Sequence, residues 1–154
     1  MPNTNIADYI RVEAVELDLK SRNKNNVIKE LYENIKKLGI IKDEELALKD
    51  LFAREEMGST GIGKNVALPH AKTDAVDELI MTVGISKEGI DYGAIDEENV
   101  NIFFMFLCPR NKNQAYLKTL ARISRLIRED KFREDLLKAG NPEEIVEIIS
   151  TEEK

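Results

Sequence analysis

The sequence predicts a single three-layer α/β/α domain spanning residues 1–154. Helical periodicities and short apolar runs alternate along the chain without a linker between them. One run, VNIFFMFLC (100–108), is apolar at nearly every position, as a central strand covered on both faces would be. A chain of 154 residues with 42% apolar composition has the length of one domain and enough apolar side chain for a core.

Each element follows from its local pattern. Val12 to Leu17 reads as a short strand. Beyond the polar KSRNKNN, residues Val27, Ile28, Leu31, Ile35 and Leu38 recur at helical spacing. Gly39 is placed to stop that helix, with Lys36 and Lys37 in a last turn whose dipole favours cations. Asp43 is positioned to cap a second helix, with Leu46 or Leu48, Leu51 and Phe52 facing inward. After a glycine-rich loop come the strands LIMTVGI and VNIFFMFLC. The remainder is helical. Leu117, Leu120, Ser124 and Ile127 fall on one face of the first helix, and Phe132, Leu136 and Leu137 form a short one ended by Gly140. Asn141-Pro142-Glu143-Glu144 supplies a cap, a first-turn proline and two first-turn acids to a last helix carrying Ile145, Val146, Ile148 and Ile149.

The formal net charge of -6 argues against a general nucleic-acid surface, which needs clustered cations. No apolar run has membrane-spanning length, and MPNTNIADYI lacks a signal-peptide pattern, so a cytoplasmic protein is expected. One cysteine, Cys108, excludes an intramolecular disulfide; with a single histidine it also excludes a Cys/His zinc site. Cys108 reads as a small buried hydrophobe at a strand end.

The chemistry concentrates in REEMGSTGIGKNVALPH, residues Arg54 to His70. Gly58 to Lys64 satisfies the first seven positions of the nucleotide-binding loop G-x-x-x-x-G-K. A working loop of that kind requires Ser or Thr next, to ligate magnesium, and this chain has Asn65. It should also leave a buried strand and enter a helix, whereas LFAREEM before it is helical in character and Pro69 after it suits extended chain. The glycines instead let backbone N–H groups approach a small anion, and Asn65 suits a left-handed turn position. Ser59 and Thr60 add hydroxyls, and Arg54 adds a guanidinium matched to phosphate oxygens. Pro69 restrains the backbone beside His70, the only histidine, whose neutral imidazole is a nucleophile near neutral pH. Together these residues describe a site that takes up a phosphoryl group and passes it on.

The segment REEMGSTGIGKNVALPHAK resembles the active-site signature of the fructose/mannitol-type enzyme IIA domain of the bacterial phosphoenolpyruvate-dependent sugar phosphotransferase system, and the resemblance extends over essentially the whole chain. It implies an α/β/α fold with a mixed sheet flanked by helices. It implies that His70 is phosphorylated by the phosphocarrier HPr and hands the group to an enzyme IIB domain, with no metal, nucleotide or organic cofactor. Contact with the membrane would come only through the enzyme IIC complex. Arg54 and Ser59, with Thr60, match the positions that hold the phosphoryl group. Many members carry a second active-site histidine just before the first leucine of the following helix; here QAYLKTL puts Tyr116 there, a hydrogen-bond donor that takes no positive charge. Other members of similar fold act as regulators of nitrogen or potassium status through phosphorylation-dependent protein binding, and the same residues would serve that role.

Because Asn65 replaces the magnesium-ligating hydroxyl, calorimetry with magnesium-ATP or magnesium-GTP should give no micromolar isotherm. Micromolar binding lost on substitution of Lys64 would contradict this.

Overall fold

The computed structural model describes residues 5–153; Met1 to Thr4, part of the stretch read for a signal-peptide pattern, and Lys154 lie outside the described residues. Helices α1 (Ile6–Tyr9), α2 (Lys24–Lys36) and α3 (Glu44–Glu56) precede strands β1 (Gly61–Gly63), β2 (Val66–Ala67), β3 (His70–Lys72), β4 (Ile80–Ile90) and β5 (Val100–Cys108). Helices α4 (Asn113–Leu126), α5 (Asp130–Lys138) and α6 (Pro142–Glu152) complete the order. Strand β5 is the axis of a mixed sheet. It pairs antiparallel with β4 along one edge and parallel with both β2 and β3, end to end, along the other. Strand β1 lies outermost, antiparallel to β2.

Side chains of β5 alternate between two cores. Val100, Phe103, Met105 and Leu107 pack under α2 and α3 with Val27, Leu31, Ile35 and Leu51. Ile102, Phe104, Phe106 and Cys108 pack with Ile123, Phe132, Leu136, Ile145 and Ile149 of α4, α5 and α6. With both faces covered, a strand apolar throughout is the physical requirement. Three helix starts follow their caps: Asn23, Asp43 and Asn141 each accept a backbone N–H three residues on. Gly39, at φ 72, takes the left-handed position after α2.

Two expectations are corrected. Val12 to Leu17 forms no strand but one 3-10 turn, Val12–Ala14, followed by a single bridge from Glu16 to Gly84. The 3-10 turn interrupts the extended backbone at the sheet edge, so pairing with β4 on either side of it is limited to the isolated bridges Ile10–Met81 and Glu16–Gly84. On α4 the inner stripe is Tyr116, Leu120, Ile123 and Ile127; Leu117 is 55% exposed and Ser124 is exposed. Leu117 follows Tyr116 by about 100° around the helix, which carries it off the core. Smaller shifts occur elsewhere. On α3 the deepest positions are Ala47, Leu51 and Glu55, with Leu46, Leu48 and Phe52 flanking, and Leu137 of α5 lies at the rim.

The loop that resembles a nucleotide-binding motif leaves helix α3 and enters the β1–β2 hairpin. Lys64 and Asn65 make the two-residue turn, both left-handed at φ 57 and 65, and the Asn65 amide donates to the Asn99 carbonyl at 2.8 Å. Gly61 is required by close approach. An added Cβ there would lie 2.7 Å from Ala94 Cβ and 2.8 Å from its Cα. Gly61→Ala should therefore destabilise the protein by about 1–3 kcal/mol, as overpacking does. Urea unfolding would show it as a lowered midpoint, and an unchanged midpoint would refute the clash.

Candidate active site

The β2–β5 and β3–β5 pairings interrupt at Leu68-Pro69, and this break builds the site. Pro69 has no N–H, so the ladder is carried instead by its carbonyl, which accepts from Phe106 N. At the same break the Leu68 carbonyl accepts a hydrogen bond from Nδ1 of His70. A carbonyl only accepts, so Nδ1 bears the proton and the lone pair of the neutral ring lies on Nε2. The ring is 4% exposed and stacks on Phe106, centroids 4.9 Å apart and planes 11° from parallel. On its open edge the Tyr116 hydroxyl, from the first turn of α4, donates to Nε2 at 3.1 Å. Lys72, on the same face of β3 two residues on, holds its ammonium 4.5 Å from the Tyr116 ring centre and donates to Asn113 Oδ1 at 2.7 Å. The start of α4 is thereby tied to β3 at two points.

Arg54 sits in the last turn of α3, half-buried, with its guanidinium donating to the Gly58 carbonyl at 2.9 Å. Ser59 Oγ accepts from Gly61 N at 3.1 Å, which leaves its own O–H to be donated. Thr60 differs from the other two. Its side chain is buried, and its hydroxyl donates to Glu55 at 2.6 Å rather than pointing toward His70. The Arg54 guanidinium thus lies against the loop that carries Ser59, and the Thr60 hydroxyl is turned inward onto Glu55.

Glu55 escaped the reading of the sequence, where REE looks like a run of solvated charge. Its carboxylate is buried between Thr60, the Tyr92 phenol and the Lys24 ammonium, the last at 2.9 Å. The available signal was its spacing, since Ala47, Leu51 and Glu55 follow one another at i+4 on the inner face of α3. Burial alone would raise this carboxyl, but the Thr60 hydroxyl, the Lys24 ammonium and the Thr60 N–H together hold it below the usual carboxylate range.

The His70 imidazole lies below its ordinary pKa. Burial is the main cause, opposed by the Leu68 carbonyl; the Arg54 charge lowers it further and Glu55 raises it. The ring therefore keeps its neutral form, with Nε2 unprotonated, to a lower pH than an ordinary histidine. As the only histidine it gives a single imidazole signal. Arg54→Ala should raise its pKa, removing a repelling cation, and NMR titration would detect the shift. A pKa unchanged or lowered in that variant would remove Arg54 from the electrostatics of the site.

Comparison with known proteins identifies the family and the fold. Residues 8–152 match the family model described as "Phosphoenolpyruvate-dependent sugar phosphotransferase system, EIIA 2". The chain is 31% identical over 150 residues to the fructose-specific EIIA component of Haloferax volcanii, covering 97% of each. It is 32% identical over 149 residues to the fructose-specific EIIABC component of Bacillus subtilis; there the match covers 97% of this chain but only 24% of that longer protein. Among solved structures, the nitrogen regulatory protein IIA-Ntr from Neisseria meningitidis superposes with a TM-score of 0.83 at 25% identity, over 94% of this chain and 98% of that one. The Escherichia coli enzyme IIA-mannitol, solved in complex with phosphorylated enzyme IIB-mannitol, shares the fold at a TM-score of 0.78 and 17% identity, over 92% and 99% of the two chains. No helix among the described residues is long and apolar enough to cross a membrane. A mixed sheet between two helical layers, a loop built against its single histidine and a family match over nearly the full length have one meaning: this chain belongs to the EIIA 2 family of the phosphoenolpyruvate-dependent sugar phosphotransferase system.

Proposed function

We propose that this domain is a phosphocarrier that accepts a phosphoryl group on Nε2 of His70 from an HPr-like donor and passes it to an enzyme IIB. The observation that carries the reading is the buried neutral imidazole, oriented by the Leu68 carbonyl with its lone pair facing Tyr116. The Nε2 lone pair attacks phosphorus, the bond from phosphorus to the donor breaks, and the donor keeps that electron pair. Nδ1 retains its proton throughout. The positive charge that forms on the ring is stabilised by the Leu68 carbonyl. The Tyr116 hydroxyl, already directed at Nε2, transfers its hydrogen bond to a phosphoryl oxygen. Arg54 and the Ser59 O–H supply two more donors, so positioning and charge stabilisation account for most of the catalysis. Thr60, with its hydroxyl on Glu55, contributes by shaping the loop. Transfer to an enzyme IIB reverses these bond changes.

The likeness to a nitrogen regulatory IIA supports a second reading, in which the phosphorylation state of His70 selects a protein partner. The two differ in a single step. A carrier loses its phosphoryl group to an enzyme IIB, whereas a regulator retains it. We place either role in the cytoplasm, reached from the membrane only through an enzyme IIC complex.

Incubation with phosphoenolpyruvate, enzyme I and HPr should add one phosphoryl group, acid-labile and mapped to His70 by mass spectrometry. His70→Ala should abolish it. Tyr116→Phe should slow transfer by the worth of one hydrogen bond to a charged group, about 1.5–3 kcal/mol. Label on Ser59 or Thr60, or none when a control enzyme IIA is labelled, would overturn the reading.

A further inference from the structure

A carboxylate buried beside a site that takes up a phosphoryl dianion runs against simple electrostatics, and Glu55 is such a group. Four donors converge on it. Thr60 N lies 2.9 Å from Oε2 and Thr60 Oγ1 2.6 Å from Oε1; Tyr92 donates to Oε1 at 3.0 Å and Lys24 to Oε2 at 2.9 Å. The Lys24 ammonium also covers the Tyr92 ring at 4.8 Å, so the cluster ties α2, α3, the loop and the segment after β4 together. The hydrogen bonds then continue to the imidazole. The Thr60 carbonyl accepts Leu68 N–H at 2.9 Å, and the Leu68 carbonyl holds Nδ1 of His70. From Glu55 to His70 every residue in this chain of bonds is buried, which makes each bond costly to leave unmade.

We propose that Glu55, with Lys24 as its counter-ion, is a positioning residue that sets the orientation of the His70 ring and the register of Ser59 through Thr60 and Leu68. This rests on the phosphocarrier reading. Glu55 acts on the site in two ways of opposite sign. As a charge it repels the incoming phosphoryl group and raises the proton affinity of His70, so removing the charge alone would favour transfer. As an acceptor it holds the loop, so removing it would hinder transfer. Glutamine separates the two, because it keeps the size and loses the charge. Its oxygen can keep the Thr60 N–H and the Lys24 ammonium only if its NH2 faces the Thr60 and Tyr92 hydroxyls. Those hydroxyls must then accept instead of donate, so the charge-assisted bonds that hold Thr60 are lost.

The groups facing Glu55 are Lys24 and Lys29 from α2, Arg54 and Glu56 from its own helix, Tyr92, Thr60 and the His70 ring. Lys24→Met leaves the carboxylate buried without its counter-ion, which raises its pKa. The hold on Thr60 would then be lost, as pH falls, at a higher pH than in the parent protein.

Rapid-quench phosphorylation by phospho-HPr, run as a pH series with thermal melts and the His70 NMR signal as folding controls, tests this. Glu55→Gln should transfer at least tenfold more slowly, with the change in kcat rather than KM. Lys24→Met should move the acid limb of the rate profile to higher pH, and the Lys24→Met/Glu55→Gln double variant, having no carboxylate at that position, should lose the shift. A folded Glu55→Gln that transfers as fast as the parent or faster would overturn the proposal. If that variant does not fold, an unshifted acid limb in Lys24→Met would overturn it instead. A parent protein labelled on His70 beside unaffected variants would refute this inference alone, whereas an unlabelled parent would refute the phosphocarrier reading with it.

Discussion

The bond between the Leu68 carbonyl and Nδ1 of His70 is the constraint on which the rest of the site depends. Without it the imidazole could carry its proton on either nitrogen, and the position of the lone pair would be undefined. The bond exists because the parallel ladder along β5 breaks at Leu68-Pro69, between β2 and β3. A proline at that break prevents the ladder from closing over the gap. The same short irregularity thus ends one strand, begins the next and leaves the imidazole lone pair on Nε2.

The surrounding structure keeps that choice stable. Phe106 stacks under the ring from the central strand, and α4 is fastened above it through Tyr116 and through Lys72 to Asn113. Burial lowers the proton affinity of the imidazole; on the phosphocarrier reading it also costs solvation of the phosphoryl charge. On the phosphocarrier reading, Arg54 in the last turn of α3 and Ser59 in the loop after it would offset that cost. Their position depends in turn on the hairpin turn at Lys64-Asn65 and on Gly61, which lets the loop lie against Ala94.

Much of this was legible in the sequence, for identifiable reasons. Strand β5 matches VNIFFMFLC residue for residue, because a strand buried on both faces writes itself as an apolar run. Caps at Asp43 and Asn141 follow from side-chain chemistry local to each helix start. Arg54, Ser59 and His70 were singled out because glycines, hydroxyls, an arginine and a lone histidine gather within seventeen residues, and their role remains the proposal. Other features depend on partners distant in the chain. Glu55 looks solvated until Lys24 and Tyr92, from two other segments, close around it. Val12 to Leu17 has strand-like composition but meets only the edge of β4, where single bridges suffice. On α4, Leu120 and Ile127 face inward as expected, whereas Leu117 and Ser124 are exposed and Tyr116 and Ile123 pack on the core instead. The Leu68 carbonyl leaves no trace in side-chain patterns at all.

The most direct test of the site as a whole concerns which nitrogen carries the phosphoryl group. NMR of the phosphorylated protein, labelled with nitrogen-15 in its single imidazole, resolves the two ring nitrogens and their coupling to phosphorus. The Leu68 constraint predicts coupling at Nε2 with a proton retained on Nδ1. Coupling at Nδ1 would contradict it, since that nitrogen could not both hold the carbonyl and bond to phosphorus.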